Sequence, residues 1–213
     1  AVSQMVTLSN LLLKKYSNGS SDDSFLQHLE LLSDVAHNSL SLIDTLSEYA
    51  HAGRNSRRFQ TISSNRIINN VLKNLQGDIQ QAQAQVHIEA LPEVYGDMVS
   101  LQQLVQNIIS NSLKYRKRDL PPLLTISAEE TVDEVRIEIS DNGIGCPQGK
   151  VGEIFEPFVR LHTEEVSGHG VGLATCVKIV QQHEGKIWAT SGVDKGMTVY
   201  FTLAKNKMKP LDG

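Results

Sequence analysis

The sequence contains few cysteines, and none of them form a close pair. Cys146 and Cys176 are the only two among 213 residues, and they lie far apart. This spacing excludes a disulfide framework and offers no zinc-ligand motif. Isolated cysteines are typical of proteins in a reducing compartment, so we expect a cytoplasmic location.

An excess of one charge and long apolar runs are also missing. The chain carries 20 Lys and Arg against 24 Asp and Glu, a net charge of −4. Its only dense basic cluster is Lys114–Arg118. This balance argues against a nucleic-acid-binding surface or a polybasic membrane patch. No apolar run approaches the roughly 18 residues that cross a bilayer. We therefore expect a globular chain that contacts neither nucleic acid nor membrane through these residues.

Proline is absent from the first 91 residues, because all six prolines lie at or beyond Pro92. Ala1–Ser17 has helical apolar spacing, and a turn at Asn18–Ser21 precedes a second predicted helix that runs from Asp22 or Asp23 to about His51. The apolar residues of the second helix follow the 3-4 spacing of a coiled-coil seam; they are Phe25, Leu29, Leu32, Ala36, Ile43, Leu46 and Ala50. A lone helical hairpin cannot bury such a seam. We expect a homodimeric four-helix bundle, and packing against the rest of the chain is the alternative.

The pattern after the hairpin is mixed α and β. Predicted helices cover 65–83, 97–117 and 170–183, and predicted strands cover 86–89, 93–95, 123–130, 134–141, 186–191 and 197–203. Gly185 is expected to end the last helix as a C′ glycine. The predicted fold class is α+β: a helical hairpin over 1–53, a linker over 54–63, an α/β two-layer sandwich over 64–206 and a tail over 207–213.

The predicted helix 97–117 has an unusual polar face. Gln103, Asn107, Asn111 and Lys114 share this face, apart from a core stripe that includes Leu104 and Ser112. A solvated face would account for polarity alone. However, Asn is a poor helix former whose side chain competes for backbone hydrogen bonds. Two Asn one turn apart, followed by Lys, therefore favour a metal-phosphate site.

The predicted strand 134–141 ends in an acid on its apolar face. By period two, Asp141 points where Val135, Ile137 and Ile139 point. A carboxylate at the end of a buried face needs a hydrogen-bond donor. The following residues, Asn142–Gly145, permit a tight turn or the close approach of a flat ligand. A plain turn is one interpretation, and an acceptor for an exocyclic amine such as that of adenine is the other.

A glycine-rich stretch, Gly168–Leu173, opens the last predicted helix. It matches neither the dinucleotide-binding fingerprint nor the P-loop, but its backbone N–H groups and helix dipole would favour phosphate oxygens. Between Gly145 and this stretch lies a segment of over twenty residues that carries Phe155 and Phe158. A long internal segment with its own apolar anchors is typical of an active-site lid.

Taken in order, these segments resemble the N, G1, F, G2 and G3 boxes of sensor histidine kinases. The matching segments are Asn107-x3-Asn111-x2-Lys114-Tyr115, Asp141–Gly145, Phe155-x2-Phe158, Gly168-x-Gly170-x-Gly172 and Gly196-Met197-Thr198. The resemblance covers about residues 60 to 205 and the hairpin before them, and the sequence around Lys114 looks most like soluble or phytochrome-like kinases. It implies a Bergerat-type ATP-binding catalytic domain that uses ATP and Mg²⁺. Such a domain transfers the γ-phosphoryl group to a His, for relay to an Asp in the receiver domain of a response regulator.

The resemblance also implies roles for residues around the phosphates. Asn107 would ligate Mg²⁺. Asn111, Lys114 and Tyr115 would contact the phosphates and the lid side. Arg160 would be a further cationic partner of the phosphates. Physical chemistry agrees with this set, because phosphoryl transfer needs positioning and charge neutralisation more than covalent chemistry.

A second group of implied roles concerns the base and the lid. Asp141 would accept a hydrogen bond from the adenine amino group. The remaining implied nucleotide-binding residues are Gly143, Ile144 and Gly145 in the base pocket, Gly168, Gly170, Gly172 and Leu173 at the lid, and Thr198 as the hydroxyl of the third glycine box. Two departures concern this group. Met197 stands where Ser or Thr often follows the third-box glycine, and His169 replaces a small hydroxyl residue.

The phosphoacceptor motif of the family is missing. That motif is a His followed by an acidic residue and a nearby Pro, in the first helix of the hairpin, and the first helix here contains no His. His28, His37 and His51 are interpreted as surface histidines. Because Ala1–Leu8 resembles the stretch just after the acceptor box, we expect a fragment cut downstream of the acceptor, able to bind ATP but not to phosphorylate itself.

Two other functions remain open from the sequence. One is a hydrolysing ATPase of the same superfamily, like gyrase B or the mismatch-repair ATPases, which use a Glu one turn before the metal-binding Asn. Gln103 occupies that position and cannot act as a general base at neutral pH. The other is a non-catalytic dimerisation and docking module, against which Asn107, Asn111, Asp141 and the glycines argue.

Overall fold

The computed structural model describes residues 58–147, 149–161, 169–192 and 195–205, together with single positions between 7 and 47. The chain forms two compact units, Ala1–Ala50 and His51–Gly213. Every described position of the first unit is helical. The rest of the expected hairpin, with His28, His37 and His51, lies outside the described residues.

The second unit contains helices and strands in mixed order. Its described elements are β1 (Phe59–Ser63), α1 (Ser64–Asn74), α2 (Gln76–Ala82), β2 (Gln85–Ile88), β3 (Glu93–Asp97), α3 (Met98–Lys114), β4 (Leu123–Glu130), β5 (Glu134–Asp141), a 3₁₀ turn (Glu153–Phe155), α4 (Gly172–Gln182), β6 (Ile187–Ser191) and β7 (Met197–Ala204). Strands β4 and β5 have the predicted bounds. No helix among the described residues is long and apolar enough to cross a bilayer.

Five strands form one sheet in the order β2-β4-β5-β7-β6. The β2–β4 pair is parallel, and the other neighbours in this sheet are antiparallel. The register places Asp141 opposite Leu124 and Ser140 opposite Thr198. Strands β1 and β3 form a separate antiparallel ribbon. The mostly antiparallel sheet is therefore as the sequence predicted.

One core lies between the sheet and the helices α1, α3 and α4. Its fully buried members are spread over both layers; they include Ile68, Val71, Leu104, Ile108, Ile109, Ile126, Ile139, Ile179, Val180, Phe201 and Leu203. Alternating strand residues point into this core because side chains on a strand face opposite sides in turn. The opposite sheet face carries Trp188 and Tyr200, whose rings stack with centroids 5.3 Å apart. The predicted α/β two-layer sandwich is confirmed.

Three local predictions differ from the structure. The expected continuous helix 65–83 is interrupted at Leu75, two residues before Gly77, a residue type that supports helix poorly. The expected linker 54–63 ends in β1, because Phe59 packs on Tyr95 and His183, contacts that local sequence does not reveal. The left-handed residue after α4 is Glu184 with φ 57°, not Gly185. Gly185 is needed for another reason: a Cβ there would fall on the carbonyl oxygen of Thr202.

Candidate functional site

The carboxylate of Asp141 lies at the centre of a hydrogen-bond cluster where α3, β5 and β7 meet. Its Oδ1 accepts from the backbone N–H of Gly143 at 2.9 Å and of Met197 at 3.1 Å. Its Oδ2 accepts from Ser112 Oγ at 2.9 Å. A carboxylate has about four lone-pair positions. These three bonds therefore leave Oδ2 able to accept one more donor, such as an exocyclic amine.

Gly196 brings the start of β7 onto the end of β5. Its φ is +78°, and a Cβ at this position would fall on the carbonyl oxygen of Asp141. Glycine is the residue that combines this backbone conformation with so close an approach. The next backbone N–H, that of Met197, is thereby aimed at the Asp141 carboxylate.

The loop after β5 is tied to the end of α3 and to β6. Ile144 N donates to the Tyr115 carbonyl at 3.0 Å. Cys146 N donates to Ser191 Oγ at 2.8 Å, and Ser191 Oγ donates to the Gly196 carbonyl at 2.8 Å. The three segments around Asp141 are thus joined by hydrogen bonds and not only by proximity.

Asn107 connects the polar face of α3 to the glycine-rich start of α4. Its Nδ2 donates to the Gly172 carbonyl at 3.2 Å. A carbonyl can only accept, so this contact fixes which end of the amide faces Gly172. The amide oxygen is therefore not the atom bonded to Gly172, and an amide oxygen is the kind of hard ligand that Mg²⁺ prefers. A single amide with phosphate oxygens fits a magnesium ion that is held mainly by its nucleotide.

The far end of α3 carries a cluster of cations. Burial lowers the pKa of Lys114, and the nearby Arg160 guanidinium lowers it further. Burial raises the pKa of the Tyr115 hydroxyl, and the same guanidinium opposes that rise. Lys114 Nζ lies 5.9 Å from the centre of the Tyr115 ring. The positive charges of Lys114 and Arg160 repel each other, and an anionic ligand such as a polyphosphate would relieve that repulsion.

Comparison with known proteins identifies the family of this domain. The sequence profile of the family described as "Histidine kinase-, DNA gyrase B-, and HSP90-like ATPase" matches residues 96–207, which include α3, β5, α4 and β7. The chain belongs to this ATPase family. The expectation of an ATP-binding domain of the histidine kinase type is confirmed.

Two curated relatives of this chain are sensory proteins of cyanobacteria. Cyanobacterial phytochrome A of Nostoc sp. is 37% identical over 164 residues, which cover 76% of this chain and 21% of that protein. The adaptive-response sensory kinase SasA of Synechococcus elongatus is 39% identical over 117 residues, covering 53% of this chain and 29% of that kinase. The chain thus spans between a fifth and a third of the length of these relatives.

Two solved structures share the fold of this chain, and one of them is from a histidine kinase. The catalytic domain of ThkA matches with a TM-score of 0.60 at 24% identity, covering 70% of this chain and 96% of that one. Full-length ShkA in complex with AMPPNP matches with a TM-score of 0.68 at 18% identity, covering 94% of this chain and 45% of that one. These likenesses concern the fold.

The second unit brings several predicted site residues together and separates others. Gly143 donates to Asp141, Ile144 donates to the Tyr115 carbonyl, and Asn107 donates to Gly172. The Arg160 charge influences the pKa of both Lys114 and Tyr115. Gly145 lies against the Gly192 carbonyl, and the Gly170 carbonyl accepts from Phe158 N at 2.9 Å. Asn111 is half-buried on the same face of α3 as Asn107. Gly168 lies outside the described residues.

Two predicted residues are placed away from the carboxylate cluster. The Thr198 hydroxyl lies 3.0 Å from Ser140 Oγ, on the sheet face opposite the core, because β7 alternates and Met197 takes the inward position. Leu173 packs against the core. Neither side chain is among the groups that surround Asp141.

Sequence reasoning missed Ser112 and Ser191 as members of the site. Ser112 was assigned to the core stripe of α3, yet it supplies the donor that Asp141 needs. A lone hydroxyl in an otherwise apolar stripe was the signal for it. No comparable signal marked Ser191, whose role depends on the pairing of β6 with β7.

As the pH is lowered, nucleotide affinity should begin to fall at a higher pH than it would if Asp141 had the ordinary pKa of an Asp. Burial raises the pKa of the Asp141 carboxyl, and the bonds from Gly143, Ser112 and Met197 only partly counteract it. Only the ionised carboxylate accepts at its remaining lone pair, so binding weakens as the pH falls through this raised pKa. Titrating a fluorescent ATP analogue between about pH 7 and about pH 4 measures the effect.

The folding stability of the nucleotide-free chain should depend on pH in the opposite direction from nucleotide affinity. Because folding raises the pKa of Asp141, its contribution to stability is fully present below the unfolded value of about 3.9 and is lost as the pH rises through the folded value. Asp141→Asn should remove both dependences. Constant affinity down to about pH 4 would contradict the assignment of Asp141 as an ionised acceptor.

Proposed function

We propose that this chain is the ATP-binding catalytic part of a sensor histidine kinase, which transfers the γ-phosphoryl group of ATP to a His for relay to an Asp of a response regulator. The observation that carries the proposal is the hydrogen bond between Asn107 and Gly172. It joins the polar face of α3 to the glycine-rich start of α4, and Lys114 lies further along that face. An amide ligand, a helix start and a cation are the groups that a metal-bound triphosphate needs.

The two ends of this arrangement suit the two ends of ATP. The Asp141 carboxylate would accept a hydrogen bond from the adenine amino group, and Asn107 would hold Mg²⁺ through its amide oxygen. Asn111, Lys114, Tyr115 and Arg160 line the phosphate end. When bound, Mg²⁺ neutralises charge on the phosphate oxygens. The γ-phosphoryl group bonds to a ring nitrogen of the acceptor His, and ADP leaves.

The acceptor His belongs to a helical hairpin, and the first 27 residues of this chain contain no His. We propose that the acceptor is supplied from outside the 213 residues. Exposed seam residues on the helical unit support the homodimer: Leu32 is 49% exposed, Ile43 51% and Leu46 37%. A second hairpin would cover such a row of apolar residues.

A receiver domain is the proposed partner downstream of the acceptor. The histidine kinase ThkA in complex with response regulator protein TrrA shares this fold with a TM-score of 0.66 at 18% identity, covering 96% of this chain and 59% of that one. The likeness supports the same class of partner for this chain, and the relay then ends on an Asp carboxylate of the receiver.

Hydrolysis of ATP is the alternative activity within the family, and Gln103 disfavours it. The residue lies half-buried on α3, one turn before Asn107. An amide cannot take a proton from an attacking water at neutral pH. We therefore propose that ATP persists in the site until an acceptor imidazole reaches it.

Incubation with γ-labelled ATP tests the proposed function. The chain alone should gain no acid-labile label. A dimerisation hairpin that carries a His followed by an acidic residue should be labelled when it is added in trans. Phosphate release is followed in the same samples. Label on the chain itself would overturn the proposal that its acceptor lies outside, and fast phosphate release with an unlabelled hairpin would favour the hydrolysing alternative.

A further inference from the structure

Among the described residues, three hydrogen bonds connect α3 or its N-cap, Asp97, to α4 or its C-cap, His183. These are Asn107 Nδ2 to Gly172 O at 3.2 Å, Cys176 Sγ to Leu104 O at 3.7 Å, and Asp97 N to His183 Nε2 at 3.1 Å. The α3 position falls as the α4 position rises, so the helices run antiparallel. The first bond lies at the proposed phosphate end, and the last lies at the other end of α4. His183 has no part in the site described above.

The hydrogen bonds of His183 define one protonation state. Its Nδ1 lies 2.7 Å from the Ile179 carbonyl, which can only accept, so Nδ1 carries the proton. Its Nε2 receives the Asp97 N–H, which can only donate, so Nε2 is bare. The ring is 3% exposed, and Phe59 covers it with ring centroids 4.7 Å apart. Such a ring is held in a single orientation.

Asp97 connects the hydrogen bond of His183 directly to the start of α3. It is the N-cap of this helix, and its Oδ1 accepts from Ser100 N and from Ser100 Oγ, each at 2.9 Å. The backbone N–H that reaches His183 therefore belongs to the N-cap residue, directly before the first turn of the helix that carries Asn107. A bond from this N–H to the C-cap of α4 limits how far α4 can slide along α3.

We propose that His183 is a positioning residue for the nucleotide site: by accepting the Asp97 N–H it fixes the axial position of α4, and so holds Gly172 against Asn107. Between its ends α4 spans roughly 16 Å, at about 1.5 Å per residue. A helix of this length moves as a rigid body, so a shift at His183 is transmitted to Gly172. The Asn107 amide would then lose the contact that orients its oxygen. The proposal rests on the nucleotide-binding function proposed above.

The alternative is that His183 only fills the core. Buried polar side chains are normally hydrogen-bonded, so the bonds alone do not separate the two interpretations. They differ in what happens at the other end of α4. A filling residue affects stability, whereas a positioning residue affects nucleotide affinity beyond any change in stability.

Two amide substitutions separate the two hydrogen bonds of the ring. His183→Gln can place its Oε1 where Nε2 was and keep the bond from Asp97 N. His183→Asn is one carbon shorter, so it can replace Nδ1 against Ile179 O but cannot reach Asp97. We expect the Asn variant to bind a fluorescent ATP analogue with Mg²⁺ about tenfold more weakly than the parent chain, and the Gln variant to bind like the parent.

Val135→Ala is the control for lost stability. Val135 is fully buried near the start of β5, and Asp141 lies at the other end of the same strand. Its truncation leaves a cavity in the core and removes no hydrogen bond between α3 and α4. Hydrogen exchange at Thr175 N, which donates to Val171 O at 2.9 Å in the first turn of α4, should accelerate in the Asn variant alone. Equal affinity of the Asn variant and the parent would overturn the proposal, as would equal weakening by Val135→Ala.

Measurements on the parent chain give a test that needs no variant. Coupling between two sites is reciprocal, so nucleotide binding must also act on His183. We expect the ¹⁵N resonance of His183 Nε2 to shift when Mg²⁺ and ADP are added. If ADP binds and this resonance does not move, the proposal is wrong. If no nucleotide binds to the parent chain at all, the proposed function itself is wrong.

Discussion

Asp141→Asn should weaken ATP binding about a hundredfold while leaving the fold intact, because a hydrogen bond to a charged acceptor is lost and a donor takes its place. Gly143 N and Met197 N both donate to one oxygen, so the amide will keep its oxygen there. Its NH₂ group then occupies the position that faces Ser112. The Ser112 hydroxyl can turn to accept, but the adenine amino group meets a second donor. Fluorescence titration with an ATP analogue measures the loss.

The base itself supplies a check on this prediction. Hypoxanthine carries an acceptor oxygen where adenine carries its amino group, so ITP should lose less affinity than ATP in the Asn variant. Asp133→Asn, at an exposed turn between β4 and β5, removes the same charge elsewhere and should bind like the parent chain. Unchanged ATP affinity in Asp141→Asn would show that this carboxylate does not read the base.

Asn107→Ala should abolish the effect of Mg²⁺ on nucleotide binding. The substitution removes the amide oxygen proposed as a metal ligand and the Nδ2 donor to Gly172. We expect magnesium-dependent affinity to fall about a hundredfold, as is usual when a group that holds or orients a metal is lost. Titrations with Mg²⁺ and with excess EDTA measure it: the parent chain should respond to the metal and the variant should not.

A neighbouring residue provides the matched control for Asn107. Gln106 is the preceding residue of α3, and its side chain is exposed. Gln106→Ala removes an amide of similar size without touching Gly172, so it should retain the response to Mg²⁺. An Asn107→Ala variant that still binds more tightly with Mg²⁺ would place the metal on other ligands.

The parts of the fold that follow from local pattern were predictable. Strands β4 and β5 alternate apolar and polar residues over their whole length, and both have their predicted bounds. The same alternation placed Asp141 on the core face, and the helical stripe of α3 separated Leu104 and Ile108 from Asn107. In each case one periodicity in a continuous segment determines which side a residue faces.

The parts that depend on distant contacts were not predictable. Strand β1 is polar at Gln60, Thr61 and Ser63. It forms because the Phe59 ring packs against Tyr95 and His183. The outward direction of Thr198 follows from its pairing with Ser140, which a motif match cannot show. Family motifs identify which segments form the site, whereas strand register decides which side chains enter it.

The stacked pair on the outer sheet face provides a reporter for the experiments above. Trp188 is the only tryptophan in the sequence, and it lies against Tyr200 on the face opposite the core. Separating the two rings requires β6 and β7 to part. The intrinsic fluorescence of this chain should therefore follow unfolding and stay nearly constant during nucleotide titration. A single optical signal can then score the stability of every variant independently of its affinity.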